Sequence, residues 1–157
     1  MGIDTRITID ELNSKNKFQM TAHLGIEFTE ITENSLSGKM PVDERTRQPL
    51  GLLHGGANAV LAETLGSMGA YLCLDRSNFY CVGLELKCNH LRGVMQGFVY
   101  GKAKPLHIGR TTQLWEIEIR NEEGKLSCFS TLTMAVKPLT EEMKKIHAPI
   151  FLSTENS

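Results

Sequence analysis

The chain has 157 residues, 41% apolar and 22% charged, with a formal net charge of −1. That length suits one compact domain with its own core, and the composition excludes general disorder. A near-neutral balance supplies no basic field for nucleic acid or an anionic membrane surface.

The amino-terminal MGIDTRITID lacks the apolar core of a signal peptide, and Arg6 stands where N-myristoylation requires Ser or Thr. Residues 8–17, TIDELNSKNK, predict a short helix capped by Thr8, with Glu11 three positions on. Residues 18–25, FQMTAHLG, predict a second helical piece ending at Gly25. IEFTEITEN and SLSGKMPV read as two strands about a turn at Asn34-Ser35, followed by a loop over 43–53 carrying Pro49 and Gly51.

A long helix is predicted from about His54 to Leu74, which would span roughly 30 Å. Four strands then meander over 79–91, 97–107, 110–120 and 126–137. In the first, Val82, Leu84, Leu86 and Cys88 alternate with Gly83, Glu85, Lys87 and Asn89. In the third, Trp115, Ile117 and Ile119 alternate with Glu116, Glu118 and Arg120, and NEEGK at 121–125 is a hairpin turn. A short polar helix and a loose tail follow. The expected organisation is a lead-in over 1–17, one domain over 18–138 and a tail over 139–157.

One long helix with a mostly antiparallel sheet places the chain in the α+β class. The helix is apolar nearly all round, so a curved sheet of five to six strands must wrap it. A membrane span over 57–74 is disfavoured by the central Glu63, by Asn58, Gly66 and Gly69, and by the lack of flanking basic bias. Cys73, Cys81, Cys88 and Cys128 form no C-x-x-C pair and read as core thiols, which suits a cytoplasmic location. His23, His54, His90, His107 and His147 are isolated in sequence, so no metal site is expected.

Glu63 is the anomaly: a lone carboxylate in the most apolar segment of the chain. A buried unpaired carboxylate is costly and needs either a partner or a task. Gly55 and Gly56 open the same helix, where the first N–H groups lack internal partners and carry partial positive charge. Gly-Gly there fits an oxyanion site, but taken alone it favours a tight turn into a helix. Ser67 lies four residues beyond Glu63 on the same face.

LHGGANAVLAETLGSMGA, then NHLR, then KPLHIGRTTQLWEIEI, resembles the hot-dog-fold acyl-coenzyme A thioesterases of the 4-hydroxybenzoyl-CoA thioesterase superfamily. The nearest branch hydrolyses aromatic acyl thioesters: the 1,4-dihydroxy-2-naphthoyl-CoA and siderophore-proofreading thioesterases. The resemblance covers roughly residues 18–137. It implies a sheet wrapped on the helix and subunits paired through their sheets, with active sites at the dimer interface, often as dimers of dimers. It implies Glu63 as the catalytic carboxylate, either nucleophile or general base, and an oxyanion donor, mainly Gly56, from the partner's helix start. It further implies Gln48 positioning the carbonyl or water, His54 near the sulfur and Ser67 holding water or acyl group. Gly55, Thr64 and Met68 would line the substrate site, although Met68 fits the core equally well.

Two segments look like a coenzyme A grip. NHLR places His90 and Arg92 on one face at strand spacing, and KPLHIGR gathers Lys104, His107 and Arg110. Each of these, taken singly, is also ordinary solvated charge. Apart from coenzyme A in the substrate, no cofactor is implied. Neither Gly-x-Ser-x-Gly nor a phosphate-binding glycine loop appears. Two rivals remain: a hot-dog hydratase or dehydratase pairing His54 with Glu63, and a non-catalytic acyl-CoA-binding domain.

Overall fold

The computed structural model describes residues 2–15 and 19–147. The expected helix ends at 16–18 and the tail beyond 147 lie outside the described residues.

Two short helices lead in. In α1 (Ile9–Ser14) the Thr8 side chain accepts from the Glu11 N–H and the Glu11 carboxylate accepts from the Thr8 N–H, the reciprocal cap read in the sequence. The second, α2 (Met20–His23), is stopped by Gly25 at φ 69°, a left-handed conformation that glycine adopts without strain. Ahead of them Ile3 and Ile7 are buried, and the Asp4 N–H donates to Leu72 O. The lead-in is thereby strapped to the far end of the long helix.

The six strands are β1 (Glu27–Thr32), β2 (Ser35–Pro41), β3 (Phe79–His90), β4 (Phe98–Ile108), β5 (Thr112–Asn121) and β6 (Leu126–Pro138). They form one antiparallel sheet in the order β1-β2-β4-β5-β6-β3. The four strands after the long helix therefore do not simply meander. The turn of β4, β5 and β6 is local, but β4 joins β2 and leaves β3 to close against β6 at the sheet's edge. The 91–97 connection that makes this crossing is pinned by bonds from Leu53 N–H to Val94 O and from Val42 N–H to Gly97 O.

The long helix, α3 (Gly55–Leu72), lies in the concave face and packs against β2 through β6. Ala57, Leu61, Ala62, Leu65, Gly66, Gly69, Ala70 and Leu72 are its buried side. Small residues set how closely it can approach. A Cβ on Gly69 would stand 2.8 Å from the Trp115 ring, and one on Gly66 would stand 2.7 Å from Leu132 Cδ2. The buried Trp115 indole donates to Gln113 Oε1 at 2.9 Å, and Gln113 Nε2 donates to Ala70 O at 3.3 Å. That pair satisfies a carbonyl of the last helical turn and ties the helix to β5.

The helix is not enclosed on all sides. A stripe of Ala59, Val60, Glu63, Thr64, Ser67, Met68 and Tyr71 is only half-buried. Among the described residues no helix is long and apolar enough to cross a membrane.

The alternation read in β3 also breaks. Its register with β6 shifts between Gly83 and Glu85, so Leu84 is an extra, bulged residue. Val82 is 43% exposed and Leu84 63% exposed, whereas Leu86 and Cys88 pack on the core. The apolar series therefore changes face midway along the strand.

Candidate active site

The start of α3 is held from below. Thr46 is buried, and its hydroxyl donates to Pro41 O at 2.7 Å while accepting from the Asp43 N–H at 3.1 Å. Its carbonyl accepts from the His54 N–H at 2.8 Å. His54 is then the N-cap, in extended conformation, and its Nδ1 accepts from the Gly56 N–H at 2.8 Å. An accepting Nδ1 is an unprotonated nitrogen, so the ring's proton belongs on Nε2.

This cap distinguishes the two helix-opening amides. The Gly56 amide is already engaged within its own chain. The Gly55 N–H has no acceptor among the described residues, and it is the open donor at the helix start. The His90 ring lies directly against Gly55: a Cβ there would stand 2.9 Å from His90 Nε2.

Glu63 stands two turns further along, half-buried, on the stripe that the sheet does not cover. Its carboxylate has no hydrogen bond or ion pair among the described residues, and Oε1 rests against Gly83 of β3. Burial, with no neighbouring charge to offset it, raises its pKa above the ordinary glutamate value of 4.5. A cleft of about 430 Å³ opens on it, within the range of small-ligand sites. The cleft is lined by Gln19, Met20 and Thr21 at α2, by Ala59, Val60, Glu63, Thr64 and Ser67 on α3, and by Leu86 of β3.

The remaining expected residues are placed as follows. Ser67 Oγ donates back to Glu63 O at 2.6 Å, so its proton is engaged, and the residue lines the cleft. Thr64 lines the cleft, but Met68 packs against the core and is not among the lining residues. Gln48 accepts from the Leu50 N–H at 2.6 Å through its side-chain oxygen, which leaves its amide N–H groups to donate elsewhere.

The coenzyme A segments are not arranged as strand spacing suggested. β3 ends at His90, and the Leu91 and Arg92 N–H groups both turn onto Ser127 O. Arg92 is thus an exposed turn residue and not the next inward position of a strand. The two cationic segments also lie at opposite ends of α3. His90 is against Gly55, whereas His107 near the end of β4 and Arg110 in the turn after it flank Gln113, which bonds Ala70 near the last turn. At 1.5 Å per residue the ends of the helix are about 27 Å apart. Lys104 is on the outer face opposite Glu116.

Sequence reasoning missed the cleft wall contributed by α2, which carries no motif, and missed Gly83. A glycine interrupting an alternating strand is a signal for a bulge or a close approach. Among the described residues no group of three or more His, Cys, Asp or Glu is gathered as a metal site would need.

Comparison with known proteins agrees with this geometry. The profile of the thioesterase superfamily matches residues 50–128, which include α3, Glu63 and the cationic segments. The 1,4-dihydroxy-2-naphthoyl-CoA hydrolase of Escherichia coli is 47% identical over 131 residues, covering 83% of this chain and 96% of that one. The proofreading thioesterase EntH of Cronobacter turicensis is 49% identical over 130 residues, covering 83% of this chain and 94% of that one. The crystal structure of a mutant thioesterase from Pseudomonas aeruginosa superposes with a TM-score of 0.86 at 49% identity, covering 88% of this chain and all of that one. The chain is a hot-dog-fold enzyme that hydrolyses thioesters, and it belongs to the thioesterase superfamily.

Proposed function

We propose that the chain hydrolyses aromatic acyl-coenzyme A thioesters, with hydroxylated naphthoyl or benzoyl groups as the leading acyl class and Glu63 as the catalytic carboxylate. The observation that carries this reading is Glu63 itself. It is half-buried, has no partner among the described residues, and faces a cleft of about 430 Å³. A carboxylate kept in that state needs a task, and attack on a thioester supplies one. Either Glu63 adds to the carbonyl and expels the coenzyme A thiolate, leaving an anhydride that water opens, or it takes a proton from the water that adds. Both routes give free acid and coenzyme A and call on no further cofactor. The acyl class is drawn from the likeness to the naphthoyl-CoA hydrolase and to EntH.

The oxyanion donor must come from a second copy. Gly55 and Glu63 are eight positions apart on one straight helix, a separation of about 12 Å. A carbonyl carbon within reach of the carboxylate has its oxygen far too distant for the amide of the same chain. A two-fold axis that sets the second copy's Gly55 opposite Glu63 runs the helices antiparallel. The same axis sets His90 and Arg92 of one copy about 12 Å along the helix from the end of the other that carries His107 and Arg110, nearer than the roughly 27 Å that separates them within one copy. The unpaired outer edge of β3, with Val82 and Leu84 exposed beside it, is the surface through which the copies would join. A dimer of dimers is compatible with the remaining faces.

The hydratase reading loses support, because His54 Nδ1 holds the Gly56 N–H and is nine positions from Glu63. The test is release of free thiol from a panel of aromatic, short and long acyl-coenzyme A esters, run beside Glu63→Gln. Aromatic esters should turn over fastest, and the variant should lose turnover by orders of magnitude while still binding coenzyme A. Binding without thiol release would favour the non-catalytic reading, and a near-normal Glu63→Gln rate would remove Glu63 from the mechanism.

A further inference from the structure

The bulge in β3 divides the strand into two halves that present opposite sequence parity to the helix. Before it, Cys81 and Gly83 face α3: Cys81 Sγ lies 4.0 Å from Ser67 O, and Gly83 lies under Glu63 Oε1. After it, Leu86, Cys88 and His90 do: Leu86 lines the cleft, Cys88 Sγ accepts from the Ser130 hydroxyl at 3.3 Å, and His90 covers Gly55. An unbroken strand alternates strictly. With Gly83 facing the helix, such a strand would press Glu85, Lys87 and Asn89 against the core and turn His90 outward. Inserting Leu84 lets both ends of the reacting geometry share one strand.

Gly83 has its own reason to be glycine. Its φ is not in the left-handed region, so the chain's path does not require it. Space does: a Cβ would stand 2.5 Å from Glu63 Oε1, 3.4 Å from Cδ and 3.6 Å from Oε2. The obstructed atoms are the far end of a flexible side chain. An alanine would therefore push the carboxylate away and leave the strand where it is.

We propose that Gly83 and the Leu84 bulge together are the positioning device of the active site, a Cβ-free notch that seats the Glu63 carboxylate against β3 and a register step that keeps His90 at the Gly55 end of α3. This rests on Glu63 being the reacting carboxylate.

The experiment is a double-mutant cycle of Gly83→Ala with Glu63→Ala, measuring kcat, KM, melting temperature and the pH profile, with Glu63→Gln alongside. Gly83→Ala should melt as the wild type does and keep its KM. Its kcat should fall about a hundredfold, the effect of displacing a reacting group by roughly an ångström. The acid limb of its pH profile should move down, because a carboxylate pushed off β3 regains water. In the Glu63→Ala background, which has nothing left to displace, the added alanine should change the residual rate by less than about twofold. If Gly83→Ala alone fails to fold, the double variant should fold, since the clash is gone. A kcat for Gly83→Ala within about threefold of wild type, an equal loss in both backgrounds, or failure of both variants to fold overturns the proposal. Near-normal turnover in Glu63→Gln overturns instead the role of Glu63 on which it rests.

Discussion

Substituting the two helix-opening glycines one at a time separates their roles. In Gly55→Ala the new methyl would stand 2.9 Å from His90 Nε2 and 3.2 Å from its Cδ2 and Cε1, so the ring must swing away. His90 is exposed and can move, and alanine in a helix is favoured over glycine by up to about 1 kcal/mol, so the fold should not weaken. What changes is the approach to the Gly55 N–H, now contested by a methyl and a displaced imidazole. Losing one oxyanion donor removes about 2.7–4 kcal/mol of transition-state stabilisation, a hundredfold to thousandfold loss in kcat. Gly56→Ala is the control. Its methyl would stand 2.9 Å from His54 Nδ1 and disturb the cap, lowering stability by about 0.5–2 kcal/mol. The Gly55 amide stays open, so kcat should fall less than about tenfold. Steady-state thiol release and thermal melts on both variants are the assay. If Gly56→Ala loses more kcat than Gly55→Ala with both folded, the oxyanion donor is Gly56 and the argument from the His54 cap is wrong.

Glu63 is held above 4.5 by burial, so in the folded protein its charged form is penalised. A raised carboxylate destabilises the fold at pH above its folded pKa and not below the unfolded one, so Glu63→Gln should raise the melting temperature at pH 7 to 8 and lose that gain below pH 4.5. An unchanged melting temperature at pH 8 would remove the burial penalty. Asp4 is lowered to about 2, first by the hydrogen bond from Arg6, with Arg76 contributing, and its contribution should be complete above 3.8 and vanish as pH falls through about 2. Asp4→Asn should therefore melt lower than wild type at pH 7, with the gap closing below pH 3.8, and equal melting at pH 7 would show the strap is idle. Arg92→Ala and Arg110→Ala should chiefly raise KM, more at low salt, and a fall in kcat alone would place the coenzyme A site elsewhere. Burial pushes the Cys73 and Cys81 thiols up to about 11 and about 12, so neither should react with a disulfide reagent at pH 8 on the timescale of a thiol-release assay.

The parts of the fold legible in the sequence were those written in local chemistry. The Thr8-Glu11 box, the Gly25 stop, the long helix and the alternating β5 and β6 each follow from interactions within a few residues or from one strict period. The placement of β3 beside β6 is different in kind. It depends on which edge the 91–97 connection reaches, and that is decided by distant bonds such as Leu53 to Val94. The bulge at Leu84 is invisible to a periodicity count because leucine fits either face. Only Gly83 beside it hinted that the strand was interrupted.

The candidate site was legible as a set of residue types and not in how the structure arranges them. Glu63 stood out because a carboxylate in an apolar helix violates the pattern around it, and the structure leaves that violation uncompensated by any partner among the described residues. The proposed preference for Gly55 over Gly56 rests on one contact, the His54 side chain folding back by two residues onto Gly56, which a sequence cannot express because both glycines offer the same amide. The two groups of the proposed chemistry, Glu63 and the Gly55 N–H, sit on one rigid helix, about 12 Å apart, and the two cation pairs flank its two ends, about 27 Å apart. A straight rod cannot fold back to bring either pair together. In the proposed antiparallel pair, the register that sets Gly55 against Glu63 also shortens the separation of the His90 and Arg110 ends from about 27 Å to about 12 Å. One register sets both separations, so a two-fold that left Gly55 of one copy away from Glu63 of the other would refute the proposed shared site.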